Sequence, residues 1–183
     1  HILSDLIPGR FFMQKQNNIF LIGLMGTGKT TVGRQLSRKL KMDFYDSDRV
    51  IEERTGADIP LIFEKEGEEG FRAREVAIID ELTQKRNIIL ATGGGAVLNE
   101  ENRNHLISRG TVFYLKSSLK TLIERTSKDK NRPLLHADEP AETILQRLLE
   151  ERSPLYEETA DYIIETGSNS IHNVIQAIIK ARK

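Results

Sequence analysis

The sequence predicts an α/β fold in three layers, a five-stranded parallel sheet with helices on both faces and two insertions beside it. Two observations carry that prediction. Five short β-rich runs alternate with helical patterns, and a glycine-rich turn joins the first run directly to the first helix. The runs are IFLIG (19–23), DFYD (43–46), NIILA (87–91), TVFYL (111–115) and DYIIE (161–165). Between them, Val32, Leu36 and Leu40 recur every four residues, and Ile144, Leu145, Leu148 and Leu149 form a second one-sided stripe. These apolar positions are assigned to the core. In such a sheet, ligands bind at the carboxyl ends of the strands.

Two segments interrupt the alternation. From Ser47 to about Gly70 two short helices are expected, punctuated by Gly56, Pro60 and Gly67, and from Thr126 to Pro140 the polar stretch TSKDKNRPLLHADEP carries prolines. Both read as flaps. The chain of 183 residues has the size of one domain, and residues 1–17 are expected to be an extra N-terminal arm outside the fold. Lys plus Arg (27) balance Asp plus Glu (27), so no broad positive field is available for nucleic acid or an anionic membrane. There is no cysteine for a disulfide, a thiolate nucleophile or a cysteine zinc site. His1, His105, His136 and His172 share no metal-ligand spacing. No apolar stretch approaches the roughly 20 residues of a membrane span, and a cytoplasmic monomer is expected.

The first strand leads into GLMGTGKT, Gly23 to Thr30, which satisfies G-x-x-x-x-G-K-[ST] at every fixed position and opens the first helix stripe. This is a phosphate-binding loop, or P-loop. Its glycines let backbone N–H groups turn toward phosphate oxygens, the helix N-terminus adds its positive end, Lys29 reaches the outer phosphates and Thr30 offers a hydroxyl to magnesium. ATP with Mg2+ is therefore the expected cofactor pair.

Many such proteins end a later apolar strand in the aspartate that helps hold magnesium, but NIILATGGG supplies none. The end of the DFYD strand is expected to lie beside the P-loop, which makes Asp46 the magnesium partner through water. Asp48 then faces the phosphoryl acceptor, where a carboxylate can orient a hydroxyl and take its proton. Capping of the next helix by Ser47 or Asp48 is the competing explanation. Gly93, Gly94 and Gly95 follow a strand end, where a ligand can lie against bare backbone, although a tight turn would use the same residues. Arg72, in EEGFRARE, and Arg152, in EERSPLY at the end of a helix, either pair with neighbouring glutamates or clamp an acceptor carboxylate. In the second flap Arg125, Lys128, Lys130 and Arg132 fall within eight positions. They form either a solvated charge run or a lid whose Arg132 reaches the γ-phosphate.

Taken together, GLMGTGKT, DSD, FR, GGGAV, RPLL and RSPLY stand in the order of the motifs of the shikimate kinases, and the chain resembles that family from about Ile19 to its C-terminal helix. The family is similar in fold to nucleoside monophosphate kinases. The resemblance implies one kinase domain with an acceptor-binding subdomain at 47–75 and a lid at 125–140. It implies transfer of the γ-phosphate of ATP to the 3-hydroxyl of shikimate, on the chorismate route to aromatic amino acids. By position, Gly26, Thr27, Gly28, Lys29, Thr30 and Thr31 would cradle phosphates, and Thr30 and Asp46 would serve magnesium. Asp48, Arg72, Arg152 and the glycines 93–95 would bind shikimate, Arg132 would contact ATP phosphates, and Arg125 and Asn169 would lie near adenine. Lys29, Asp48 and Arg132 are the expected catalytic groups. Gly70, just before the FR pair, departs from the pattern and is expected to loosen the helix start beside Arg72. Two alternatives stay open: a related small-molecule kinase acting on an acceptor such as gluconate, and a P-loop regulatory module without catalysis.

Overall fold

A computed structural model describes residues 16–128 and 138–182. Five parallel strands, β1 (Ile19–Ile22), β2 (Asp43–Asp46), β3 (Ile88–Ala91), β4 (Thr111–Lys116) and β5 (Tyr162–Glu165), form one sheet in the order β2-β3-β1-β4-β5. All five coincide with the β-rich runs to within a residue or so. β1, paired on one side with β3 and on the other with β4, is buried throughout, which explains why IFLI reads as continuous apolar sequence.

The pleat divides the core. Ile19 and Leu21 of β1 turn to one face, where they meet Val32 and Leu36 of α1 (Lys29–Leu40) and Val174, Ile175 and Ile178 of a C-terminal helix. Phe20 and Ile22 turn to the other. There they join Ile51 of α2 (Ser47–Thr55), Ile78 and Leu82 of α3 (Ile59–Thr83), Leu106 of α4 (Glu100–Arg109) and Leu122 of α5 (Leu119–Thr126). Ile144, Leu145 and Leu148 of α6 (Ala141–Thr159) complete that layer, and the C-terminal helix is α7 (Ile171–Arg182). Burying both faces of the sheet this way leaves its strand ends as the sites open to ligands. Among the described residues no helix is long and apolar enough to cross a membrane.

β3 lies between β1 and β2 in the sheet, because the α1 crossover skips one strand position that β3 later fills. Two local expectations need correcting. The second helix of the first flap does not stop near Gly70. α3 runs on to Thr83, and its break lies at Gly67, whose φ of 73° and ψ of 179° are non-helical, while Gly70 sits inside the helix. α6 likewise continues through Pro154 to Thr159. A proline removes one helix hydrogen bond, but burial of Arg152 and Tyr156 on either side holds the helix together, so Arg152 lies within the helix and not at its end.

Candidate active site

The turn after β1 has the backbone that a phosphate cradle requires. Gly28, the residue before α1, has φ 91°, and Gly23 has φ 147° with β4 so close that a Cβ there would lie 2.5 Å from Leu115 O. α1 has no side-chain cap and no acidic residue in its first turn, so its leading N–H groups and positive end face the cavity. Lys29 folds back over this turn, its Nζ donating to Gly23 O (2.6 Å) and Leu24 O (2.9 Å). Thr27 lies beneath, with Oγ1 donating to Leu24 O. Arg125, at the end of α5, donates from Nη1 to Gly26 O at 3.0 Å.

Although β2 is two strands from β1, its terminal carboxylate reaches the P-loop because α1 brings Thr30 across. Thr30 Oγ1 donates to Asp46 Oδ2 at 2.7 Å. The other oxygen of Asp46 accepts from the backbone N–H groups of Asp48 (3.0 Å) and Arg49 (3.3 Å). The cap of α2 is therefore Asp46, and Asp48 lines the cavity. Ser47 has a third job, its Oγ accepting from Gly93 N at 3.0 Å.

That bond ties α2 to the turn that organises the acceptor side of the cavity. Each of its three glycines faces different groups. A Cβ on Gly93 would lie 2.6 Å from Asp48 Oδ1 and 3.0 Å from Glu75 Oε2, and one on Gly95 would lie 2.6 Å from the Arg72 Cζ. Gly94 is looser, with Arg152 Nη1 3.4 Å from such an atom. The absent side chains are thus the space in which two carboxylates and two guanidinium groups converge.

Arg72 pairs locally with Glu75, and both Arg72 and Arg152 line the cavity. Arg72 Nη1 donates to Glu75 Oε1 at 2.8 Å, and its guanidinium lies 5.2 Å from the Phe71 ring centre. Glu75 is 1% exposed and Arg152 4% exposed. Burial pushes the Glu75 carboxyl up from its ordinary value, against the pull of Arg72 and, further down, Arg152. Arg72 Nε, Arg152 Nε and Glu75 Oε2 are buried without a hydrogen-bond partner among the described residues. Groups of this kind are costly unless a ligand satisfies them.

One cavity of about 680 Å3 joins the phosphate and acceptor sides. It is lined by Gly26, Gly28, Lys29, Thr30, Thr31, Asp46, Asp48, Arg72, Gly93, Gly94, Gly95, Arg125 and Arg152 among the residues singled out from sequence, and its size suits a nucleotide beside a small acceptor. Thr27 lies beneath the lining. Asn169 is on the loop after β5 with Nδ2 on Glu165 O at 2.8 Å, and is not in the lining. Arg132 and Lys130 lie outside the described residues. Sequence reasoning missed Glu75, Ser47 and the apolar wall of Phe63 and Phe71, whose ring centres are 5.0 Å apart. Glu75 carries a signal in hindsight: it stands three residues after Arg72, the spacing that places two side chains on one helix face.

A family model described as shikimate kinase matches residues 25–183. The shikimate kinase of Legionella pneumophila is 58% identical over 166 residues, 91% of this chain and 94% of the relative. That of Vibrio parahaemolyticus is 54% identical over 168 residues, 92% of this chain and 97% of the relative. Among solved structures, a shikimate kinase from Acinetobacter baumannii in complex with shikimate superposes with a TM-score of 0.87 at 49% identity, covering 91% of this chain and 92% of that one.

Proposed function

The chain belongs to the shikimate kinase family, and on that premise we propose that it transfers the γ-phosphate of ATP to the 3-hydroxyl of shikimate, giving shikimate 3-phosphate and ADP. The observation that carries this reading is the convergence on one glycine turn of Asp48 and two buried guanidinium groups, in a cavity continuous with the P-loop. A small ring with hydroxyls at one edge and a carboxylate at the other matches that polarity, since guanidinium groups bind carboxylates and a carboxylate accepts from hydroxyls.

Arg72 and Arg152 hold the acceptor carboxylate, and the backbone of Gly93 to Gly95 lies against the ring. Asp48 orients the 3-hydroxyl and accepts its proton as the oxygen attacks the γ-phosphorus. Lys29 leaves the P-loop carbonyls for the phosphate oxygens, where its charge offsets that building up in transfer. Arg132 performs the same service from the lid, and Arg125 and Asn169 are assigned to the adenine side.

Thr30 and Asp46 form a donor set that suits Mg2+: one hydroxyl and one carboxylate already in contact, and no cluster of three or more His, Cys, Asp or Glu among the described residues. Magnesium prefers few protein ligands, with phosphate oxygens and water completing its shell. Bound there, it would supply charge neutralisation to the phosphates. Segments 47–75 and 125–140 act as acceptor-binding subdomain and lid. A monomer in the cytoplasm, where ATP is abundant, is the working form proposed.

Coupled ADP release, measured with Mg2+ and ATP and with shikimate, gluconate or AMP as acceptor, tests the reading. Turnover dependent on shikimate alone is expected. Turnover with gluconate or AMP instead, or ATP binding with no turnover on any acceptor, would overturn it.

A further inference from the structure

We propose that Tyr156 is a positioning residue for the acceptor site, its hydroxyl locking the middle of the Gly93 to Gly95 turn to the helix that carries Arg152. This rests on the kinase reading above and concerns a residue that makes no contact with the reacting groups.

Three consecutive glycines form the least restrained backbone a chain can have, so a binding site built on them needs external fixing. The carbonyls of this turn are held in different ways. Gly93 O accepts from Ala96 N and Gly95 O from Leu98 N, both at 3.1 Å, within the turn and the short 3₁₀ helix after it. Gly94 O instead accepts the Tyr156 hydroxyl at 2.5 Å, from a residue 62 positions away. Because the peptide unit is planar and trans, orienting this carbonyl also orients the N–H of Gly95 on its other side. Gly95 is the residue against which Arg72 is packed.

Tyr156 follows Arg152 by four residues, so the two project from one face of α6. Both are buried, and the Arg152 guanidinium lies against the Tyr156 hydroxyl, where its charge and a side-chain hydrogen bond oppose the strong upward push that burial gives the phenol. The hydroxyl therefore remains a protonated donor across the working range, in contact with Gly94 O on one side and the acceptor clamp on the other. Packing does not explain it. The ring stacks on Tyr114, centres 4.9 Å apart, and phenylalanine would stack as well.

The test compares Tyr156→Phe with Tyr114→Phe. Tyr114 supplies a control because its hydroxyl bonds the Ser153 side chain, and so also ties α6 to the sheet, while the hydrogen bonds of the glycine turn run to Ser47, Ala96, Leu98 and Tyr156. Both changes keep the stacked rings and should leave the fold intact. In steady-state assays Tyr156→Phe is expected to raise the KM for shikimate roughly tenfold, the effect of one lost hydrogen bond together with a stranded buried carbonyl, while the KM for ATP moves by less than about twofold. Tyr114→Phe is expected to leave both near wild type. An unchanged shikimate KM in Tyr156→Phe would overturn the proposal, as would equal effects of the two substitutions or a parallel rise in both KM values. A wild-type protein that does not phosphorylate shikimate would fail the kinase reading itself, and the proposal with it.

Discussion

Replacing Gly95 with alanine separates the acceptor half of the site from the rest of the molecule. Gly95 has φ −92° and ψ 4°, which alanine adopts without strain, so the substitution tests space and not backbone. The added methyl would lie 2.6 Å from both Cζ and Nη1 of Arg72 and closer still to Nη2. Restoring an ordinary separation of roughly 3.5 Å requires the guanidinium to retreat by about 1 Å. The tip of a long side chain can do this cheaply, and the loss of unfolded-state freedom favours alanine by about 0.4 to 1 kcal/mol, so Tm should move by only a few degrees, roughly 2 to 4 °C per kcal/mol. Binding does not escape. A guanidinium displaced by that distance forfeits a charge-assisted hydrogen bond to the acceptor carboxylate, about 1.5 to 3 kcal/mol. At about 1.4 kcal/mol per decade this corresponds to a rise of roughly 10- to 140-fold in shikimate KM. Coupled ADP release at saturating ATP, followed by the ATP dependence at high shikimate, gives both constants. An unchanged shikimate KM in a folded Gly95→Ala protein would refute the placement of Arg72, and an equal rise in ATP KM would refute the division of the cavity.

Three further outcomes are expected. Lys29→Met should lower kcat by on the order of 10²- to 10³-fold or more, because the γ-phosphate loses its nearest fixed charge; near-normal turnover would contradict the P-loop role. Asp48→Asn should retain ATP binding by calorimetry but lose rate by on the order of 10²-fold, and a full rate would leave that carboxylate no part in proton transfer. Glu75→Gln bears on stability. Burial raises the folded-state pKa of Glu75 above its ordinary 4.5, so the folded protein holds that proton more tightly and loses stability as pH climbs from the ordinary value through the raised one. The variant lacks this loss, so its Tm relative to wild type should increase as pH rises from below the ordinary 4.5. A Tm difference independent of pH would show that Glu75 is not perturbed.

What could be read from the chain alone divides by the range of the interactions involved. β1, the P-loop and α1 were legible because strand, glycine turn and helix are consecutive and each follows from neighbours in sequence. The order of the strands was not, since nothing local in DFYD or NIILA says that β3 inserts between β1 and β2. Asp46 was read as a magnesium ligand from its place at a strand end, but its second oxygen also caps α2, a role the sequence assigned equally well to Ser47 or Asp48. The arginines posed a choice between local pairing and ligand binding. For Arg72 the structure shows the local pair, with Glu75 holding one of its amines, while the Nε stays unpartnered among the described residues. Tyr156 escaped notice because its partner, Gly94 O, is a backbone atom 62 positions away. Arg152 reads from sequence as standing at a helix end, and only tertiary packing carries α6 on through Pro154.

The most direct test of the central claim is phosphorus and proton NMR of the product formed from ATP and shikimate by the wild-type chain. A single phosphate ester on the 3-hydroxyl, formed in step with ADP, is the expected result. A phosphate on the 4- or 5-hydroxyl, or ADP accompanied only by inorganic phosphate, would contradict the assignment of Asp48 as the base facing that hydroxyl and of Arg72 and Arg152 as the clamp that orients the ring.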